Sequence, residues 1–166
     1  MAESTATTYL GYTELPEPGA PFPSIGERNP TIFAKACDII DYPDLSSPAE
    51  RIETTTLSNE QRVYIKGLPD QADQVFTANF DAEQYLMLKN IGDEQKYWAI
   101  LFGDSGALFY FKGQSSVAVA GAGVGEVRTM TITLYPNEEP VLDTVDNQGE
   151  QIRTWEYAGG VIQIKK

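Results

Sequence analysis

The segment from Thr129 to Leu134 constrains the fold more than any other part of the sequence. Threonine alternates there with a large apolar residue, in the order Thr-Met-Thr-Ile-Thr-Leu. Successive side chains of a β-strand point to opposite faces, so this period of two predicts a strand with one buried face and one polar face. Such a strand requires a sheet around it and an apolar core beneath it.

Most of the chain after Thr31 has the character of β-structure. Predicted strands cover 31–41, 51–57, 61–67, 74–80, 96–103, 107–120, 126–135 and 152–165. Trp98–Phe102 is apolar at every position, which indicates either a central strand or a strand that a partner subunit covers.

One short helix is predicted between the strands. Asp81 is a suitable N-cap, Gln84 stands three residues later as in a capping box, and Gly92 provides a C-terminal stop. Tyr85 and Leu88, with Ile91, have the spacing of one helix face and predict that the helix packs on a sheet. The expected fold class is therefore mainly β, an antiparallel sandwich or barrel-like domain with one flanking α-helix.

Composition excludes several classes of function. The chain has 24 acidic and 12 basic residues, a net charge of −12, and no histidine. The charge disfavours DNA binding by phosphate neutralisation. The absence of histidine rules out His-based catalytic triads and His-containing zinc sites. We expect a protein that is not an enzyme and that uses no cofactor or metal.

Three local features have structural interpretations. Cys37 is the single cysteine and is predicted to be a small, buried strand residue. Gly121–Gly125 lacks the glycine spacing and the following helix of a phosphate-binding loop, so it is interpreted as a strand connection. Asp143–Glu150 lacks the alternating ligands of a calcium loop and is interpreted as a loop that joins two strands.

Two proline-containing segments suggest the organisation of the chain. Residues 1–31 include five prolines and are predicted to form an extended arm that contains no ladder-forming strand. Residues 32–166 are predicted to form a single β-sandwich domain. Within it, the polar segment 42–62 is predicted to be an assembly loop that becomes ordered against another subunit. The alternative is an ordinary exposed hairpin.

The order of these segments resembles the major tail tube proteins of long, non-contractile-tailed phages. The likeness includes the N-terminal arm, Glu53–Thr56 followed by Tyr64–Ile65, and the turn at Gly67–Asp70. It continues through the strand and helix of 74–91 and the strand Tyr97–Phe102, which leads to a glycine-containing turn. Type VI secretion tube proteins share the fold and remain an alternative, although the Thr-rich loop favours a phage protein.

The resemblance implies a virion protein of the phage tail, assembled in the host cytoplasm. Hexameric rings of this chain would stack into the tail tube, with inner strands of all subunits joined into one barrel around the channel for DNA ejection. The implied partners are further copies of the chain and the tape-measure, tail-tip initiator and tail terminator proteins. DNA would pass through without specific binding, and no membrane insertion is expected.

This interpretation assigns roles to particular residues. Contacts between subunits or rings are expected at Arg51, Ile52, Glu53, Leu57, Glu60, Arg62, Trp98, Ile100 and Phe102. The lumen, which should be polar and poor in Lys and Arg, is expected to include Ser116, Thr129, Thr131 and Thr133. A monomeric module such as a carbohydrate-binding β-sandwich is the alternative from another class. It would need aromatic side chains grouped on one surface, which the nine tyrosines could supply.

Overall fold

The structure, a computed structural model, describes residues 8–13, 32–45, 48–67, 71–103, 105–142 and 154–164. These residues form twelve strands and one α-helix. In chain order the elements are β1 (Thr8–Thr13), β2 (Ile32–Cys37), β3 (Ile39–Asp41), β4 (Arg51–Glu53), β5 (Tyr64–Lys66), β6 (Gln74–Asn79), α1 (Ala82–Ile91), β7 (Lys96–Phe102), β8 (Ala107–Val119), β9 (Thr129–Pro136), β10 (Val141–Leu142), β11 (Trp155–Ala158) and β12 (Val161–Ile164).

Ten of the described strands form one antiparallel sheet, and β4 and β5 form a separate hairpin. The strand order of the sheet is β11-β12-β2-β1-β7-β8-β9-β6-β3, with β10 paired to β8. Only Asp38 separates β2 from β3, yet β2 pairs with β1 whereas β3 pairs with β6 at the far end of the order. The sheet therefore curls into a half-barrel, to which the segment 32–41 contributes on both sides.

Strand β8 is the longest strand and belongs to both halves of the curled sheet. Its first half, Ala107–Gly113, pairs with β7, and its second half, Gly113–Val119, pairs with β9. The change of partner occurs at Gly113, where a Cβ atom would lie 2.5 Å from the carbonyl oxygen of Tyr135. Glycine is required at this position because the two backbones approach so closely.

A first apolar core fills the inside of the curl. Met130, Ile132 and Leu134 of β9 are fully buried, as the alternation in the sequence predicts. They pack with β6, the inner face of β7 and helix α1. The buried members are Leu10, Ala36, Cys37, Phe76, Ala78, Leu88, Ile91, Trp98, Ile100, Phe111, Met130, Ile132 and Leu134.

A second apolar core lies on the opposite face of β1, β7 and the first half of β8. The β11–β12 hairpin covers this face, since the Trp155 amide donates a hydrogen bond to the Gly106 carbonyl (3.0 Å). The Trp155 ring also meets the Phe33 ring edge-on, with centroids 5.5 Å apart. The buried members are Phe33, Tyr97, Ala99, Leu101, Leu108, Tyr110, Trp155 and Ile162.

The two cores explain why Trp98–Phe102 is apolar on both faces. Strand β7 pairs with β1 on one edge and with β8 on the other. Trp98 and Ile100 enter the first core, whereas Ala99 and Leu101 enter the second. Of the two interpretations of this segment, the central strand is correct.

The predicted helix is confirmed with its caps. The Asp81 carboxylate accepts a hydrogen bond from the Gln84 amide (3.0 Å), which satisfies one free donor of the first turn. Gly92 ends the helix with a positive φ of 57°. Leu88 and Ile91 are buried against the sheet.

The expectation that residues 1–31 contain no ladder-forming strand is wrong for Thr8–Thr13. This segment is β1, paired with β2 on one side and β7 on the other, and Leu10 is fully buried. The prolines that motivated the arm begin at Pro16, after the strand has ended. The rest of the proposed arm lies outside the described residues.

Two further predictions need correction. The predicted strand 152–165 is a hairpin, because Gly159 and Gly160 form a turn with φ values of 61° and 83°. The predicted strand 31–41 is divided at Asp38 between the two halves of the sheet. The interpretation of Gly121–Gly125 as a connection between strands is confirmed, since it links β8 to β9. The loop predicted at Asp143–Glu150 lies outside the described residues.

We expect Gly113→Ala to destabilise the fold by about 1–3 kcal/mol, because its Cβ would overlap the Tyr135 carbonyl. Gly121→Ala is the matched control, since a Cβ at Gly121 would have no neighbour within 4 Å. Urea unfolding of both variants measures the difference. Equal midpoints for the two variants would contradict the close approach at Gly113.

We also expect the Cys37 thiol to be unreactive in the native protein. Burial, together with the charge of Asp38, raises the pKa of Cys37 from 9.0 to about 12, so little thiolate is present at pH 8. Because the unfolded chain releases this proton near pH 9, stability should decline as the pH rises from 9 towards 12. Alkylation at pH 8 should therefore be slow in buffer and fast in urea. Rapid labelling of the native chain would contradict this placement.

Candidate functional site

Mostly small and polar side chains, together with Val75 and Tyr135, cover one face of β6, β9 and the second half of β8, the face that points away from the first core. The threonines of β9 are half-buried, whereas the three apolar residues between them are fully buried. Cross-strand neighbours share a face, and the register places Ser116 beside Thr133, and Thr77 beside Thr131. We call this surface the polar face; its members are Asp41, Val75, Thr77, Asn79, Gln114, Ser116, Ala118, Thr129, Thr131, Thr133 and Tyr135.

The polar face is almost free of charge. Asp41 is its single charged member, and the one basic residue at its border is the half-buried Lys112, which precedes Gln114 on the same side of β8. The four residues expected in a lumen, Ser116, Thr129, Thr131 and Thr133, all lie on it. A polyanion next to this surface would find neither a cluster of basic groups to bind nor a strong negative field to repel it.

Both lateral edges of the polar face have backbone that is unpaired within the described part of the chain. After Gly113, β8 pairs with β9 on one edge, and no described strand pairs with its other edge. At the opposite side, β3 pairs with β6 only at Thr77 and Ala78, so Gln74–Phe76 has one open edge. Unpaired strand edges readily accept a strand from another chain.

The β4–β5 hairpin is the second unusual surface of the molecule. Every residue from Glu50 to Lys66 is exposed, on both faces of the two strands. The hairpin is held by its own hydrogen bonds, including Thr54 amide to Val63 carbonyl (2.8 Å) and Gly67 amide to Glu50 carbonyl (2.7 Å). A two-stranded hairpin without a covering layer is marginally stable in water.

The two faces of this hairpin differ in chemistry. Ile52 pairs with Ile65, and Val63 follows on the same face, with exposed fractions of 49%, 52% and 40%. We call these three residues the aliphatic strip. On the other face Arg51 pairs with Lys66, and the Arg51 guanidinium lies 4.1 Å from the centre of the Tyr64 ring.

The turn of the hairpin is ordered by its threonine and asparagine side chains. The Asn59 carboxamide oxygen accepts hydrogen bonds from the Thr56 amide (2.7 Å) and from the Thr56 hydroxyl (2.8 Å). Leu57 projects from this turn and is fully exposed. The Thr-rich sequence therefore builds a defined turn that presents an apolar side chain to solvent.

The structure divides the expected interface residues into two groups. Arg51, Ile52, Glu53, Leu57, Glu60 and Arg62 all lie exposed in the hairpin. Trp98 and Ile100, in contrast, have no exposed surface, so neither side chain is available to a second subunit in this conformation. Phe102 is half-buried and packs against Phe109 and Tyr42. An Ile100→Asp substitution would bury an unpaired charge and disrupt folding. A loss of assembly in this variant would therefore not identify an interface.

The exposed unit also extends beyond the predicted loop 42–62. Because β4 pairs with Tyr64–Lys66, the hairpin includes Val63, Tyr64 and Ile65, which the sequence interpretation did not assign to an interface. The period-two spacing of Val63 and Ile65, and the position of Ile52 between Arg51 and Glu53, could have revealed the aliphatic strip. Val124 and Val127 in the β8–β9 loop, exposed at 109% and 72%, were also missed.

The described residues contain no cluster that could hold a metal ion, that is, no suitably placed group of three or more Cys, Asp or Glu side chains. The helix in the described part of the chain is too short and too polar to cross a membrane. The distinctive surfaces are thus the polar face with its open edges and the exposed hairpin.

We expect the amides of the β4–β5 hairpin to exchange with solvent much faster than those of β9 in the unassembled chain, because no layer covers the hairpin. In an assembled state the amides of 51–62 should become protected. Hydrogen-exchange mass spectrometry on both states measures this. Equal and strong protection of 51–62 in the two states would show that the hairpin needs no partner.

Comparisons with known proteins assign no family to this chain. No protein-family model matches the sequence. A comparison with curated proteins likewise finds no significant match. A function has to be inferred from the fold and from these two surfaces.

Proposed function

We propose that this chain is a structural subunit that assembles into rings, and that the rings stack into the tube of a phage tail. The observation that carries this proposal is the polar face, a four-stranded segment (β8-β9-β6-β3) with one core-packed side, one nearly uncharged side and two open edges. Such a segment can continue from one subunit to the next without changing the fold of either.

The two open edges allow copies of the chain to join into a ring. The free edge of Gln114–Val119 in one copy and the free edge beside Gln74–Phe76 in the next copy are different surfaces, so their contact is heterologous. A heterologous contact that closes on itself forms a ring, and closure removes the exposed strand edges that otherwise cause aggregation. Six copies per ring is the number that the resemblance to tail tube proteins implies.

The polar face would line the inside of such a ring. DNA must move through a tail channel without being retained, which requires a surface with no clusters of Lys or Arg. The eleven residues of the polar face meet this requirement. At physiological salt, charges act over about 8 Å, so acidic residues on other surfaces contribute little there.

The exposed hairpin fits the second step of assembly, the contact between rings. It carries aliphatic side chains that a free monomer leaves in water, and covering them would contribute roughly 25 cal/mol for each Å² buried. The tape-measure, tail-tip initiator and tail terminator proteins belong to this proposal through the resemblance alone. A type VI secretion tube would use the same two surfaces.

The described tyrosines favour assembly over a carbohydrate-binding module. All nine lie in the described residues, and two of them, Tyr97 and Tyr110, are buried in the second core. Only Tyr64 and Tyr135 are exposed, the first on the hairpin and the second on the polar face. A sugar platform needs several aromatic rings on one accessible surface.

The proposal predicts that purified protein forms rings or tubes, which negative-stain electron microscopy would show. A Thr131→Cys variant tests which surface faces the channel of those tubes. In tubes, the introduced thiol should react with a small maleimide that diffuses in from the ends. It should resist a polyethylene-glycol maleimide that is too large for the channel. The native Cys37 does not interfere because it is buried.

A Leu86→Cys variant on the exposed side of α1 is the matched control and should react with both reagents in tubes. If the thiol of the Thr131→Cys variant resisted both reagents, it would lie in a subunit contact. If it accepted both, it would lie on the outer surface. Either result would contradict the lumen assignment, and a persistent monomer under all conditions would contradict the proposed function itself.

A further inference from the structure

Two polar side chains that point into the first core have a buried atom with no hydrogen-bond partner among the described residues. They are Gln74 on β6, which is 3% exposed and whose Oε1 atom is unpartnered, and Ser115 on β8, whose Oγ atom is unpartnered. Both residues pair in register with Leu134 of β9, so all three side chains lie on the core side of the sheet. A buried polar group without a partner lowers the stability of the single chain.

The two groups are chemically complementary but separated within one chain. The Ser115 hydroxyl can donate a hydrogen bond, whereas Gln74 Oε1 can only accept one. Neighbouring strands of a sheet are about 4.8 Å apart, so β6 and β8 are separated by about 10 Å with β9 between them. The Gln74 carboxamide is also weakly held, because its Nε2 atom makes only a long hydrogen bond to the Ala72 carbonyl (3.4 Å).

Each group belongs to one of the two open edges of the polar face. Ser115 lies in the part of β8 after Gly113, where no described strand pairs with the second edge. Gln74 lies in the part of β6 that β3 does not reach, since β3 pairs only with Thr77 and Ala78. The other core-facing residues of these two open segments are apolar, namely Val117 and Val119 on β8 and Phe76 on β6. Each open edge therefore carries one core-facing polar residue.

The directions of the two edge strands also match. Strands β8 and β6 are both antiparallel to β9, so they run in the same direction. Rotation about the axis of a ring leaves the direction of a strand along that axis unchanged, so β6 of the next copy would run parallel to β8 of the first. Along this direction each edge presents first a polar and then an apolar core-facing residue, Ser115 and Val117 on β8, and Gln74 and Phe76 on β6.

We infer that the Ser115 hydroxyl of one copy donates a hydrogen bond to Gln74 Oε1 of the next copy in the ring, with Val117 beside Phe76. Any other alignment of the two edges would leave both polar groups buried and unpaired in the assembled ring, so this hydrogen bond sets the register of the contact. Single buried polar contacts set register in the same way in coiled coils. The inference rests on the proposed function and identifies the residues that align its subunits.

Disulfide formation tests this alignment. In a chain that carries both Gln74→Cys and Ser115→Cys, the two cysteines lie on strands about 10 Å apart, beyond the Cα separation of about 7 Å that a disulfide can span. A disulfide between these positions must therefore join two copies. Mild oxidation of assembled protein should give covalent oligomers on a non-reducing gel.

A variant with Ser115→Cys and Asn79→Cys is the control for this experiment. Asn79 lies at the other end of β6, about 17 Å from Gln74 at the rise of an antiparallel strand. Its side chain is exposed, so the introduced thiol is at least as accessible to the oxidant as one at Gln74. The control should nevertheless give several-fold fewer covalent oligomers, because its thiols do not meet in the inferred register.

A double-mutant cycle gives an independent readout that does not depend on cysteine chemistry. Ser115→Ala and Gln74→Met each remove one of the two polar groups. Neither should lower the melting temperature of the unassembled chain, because each removes a buried group that has no partner there. Each should raise the critical concentration of assembly several-fold, because the remaining group stays buried and unpaired at the contact. The double variant should recover most of this loss.

The outcomes separate this inference from the proposed function. Selective cross-linking and recovery in the double variant support the hydrogen bond. Rings that form with cross-linking equal to the control, or with additive effects of the two substitutions, would overturn it while the ring survives. A lower melting temperature of either single variant would show that its group has a partner within one chain, which would also overturn it. Failure of the wild-type chain to associate would overturn both.

Discussion

The close approach of β8 to Tyr135 at Gly113 is the contact on which the rest of the architecture depends. One continuous strand of thirteen residues changes its partner there, from β7 to β9. The half of the sheet before this point is covered by core on both faces. The half after it has core on one face only. A side chain at Gly113 would push the two halves apart, and the first core would lose its enclosure.

This division of one sheet into two environments explains the residue pattern strand by strand. In β7 every position is apolar or buried, because cores lie on both sides. In β9 threonine alternates with large apolar residues, because only one side is covered. The β11–β12 hairpin causes this difference between β7 and β9. It covers the first half of β8 and leaves the second half uncovered. The polar face is the part of the sheet that no other element of the described structure covers.

Much of this fold could be predicted from the sequence where local signals and tertiary structure agree. The alternation at Thr129–Leu134 and the capping of α1 by Asp81 are local, and both are confirmed. The strand at Thr8–Thr13 was missed because the prolines that follow it dominated the interpretation of the whole segment. The sheet order could not be predicted, since the pairing of β1 between β2 and β7 depends on contacts between segments that lie far apart in the chain. Among the site residues, the exposure of Ile52 and Leu57 agrees with the interface hypothesis. Trp98 and Ile100 are instead buried in the first core, because β7 is a central strand, and its apolar run alone could not distinguish a central strand from one covered by a partner.

The exposed hairpin has a consequence for how such a protein can change over time. Because the side chains of Glu50–Lys66 are exposed, substitutions there alter the stability of the body very little. Under the proposed function, the hairpin surface that contacts further copies can therefore change while the scaffold stays constant, provided that the receiving surface changes with it. Two chains with the same scaffold and different hairpins would then each associate with their own kind and reject the other. Fidelity of assembly, when related tubes are produced in one cell, would then be set by a segment that contributes almost nothing to folding.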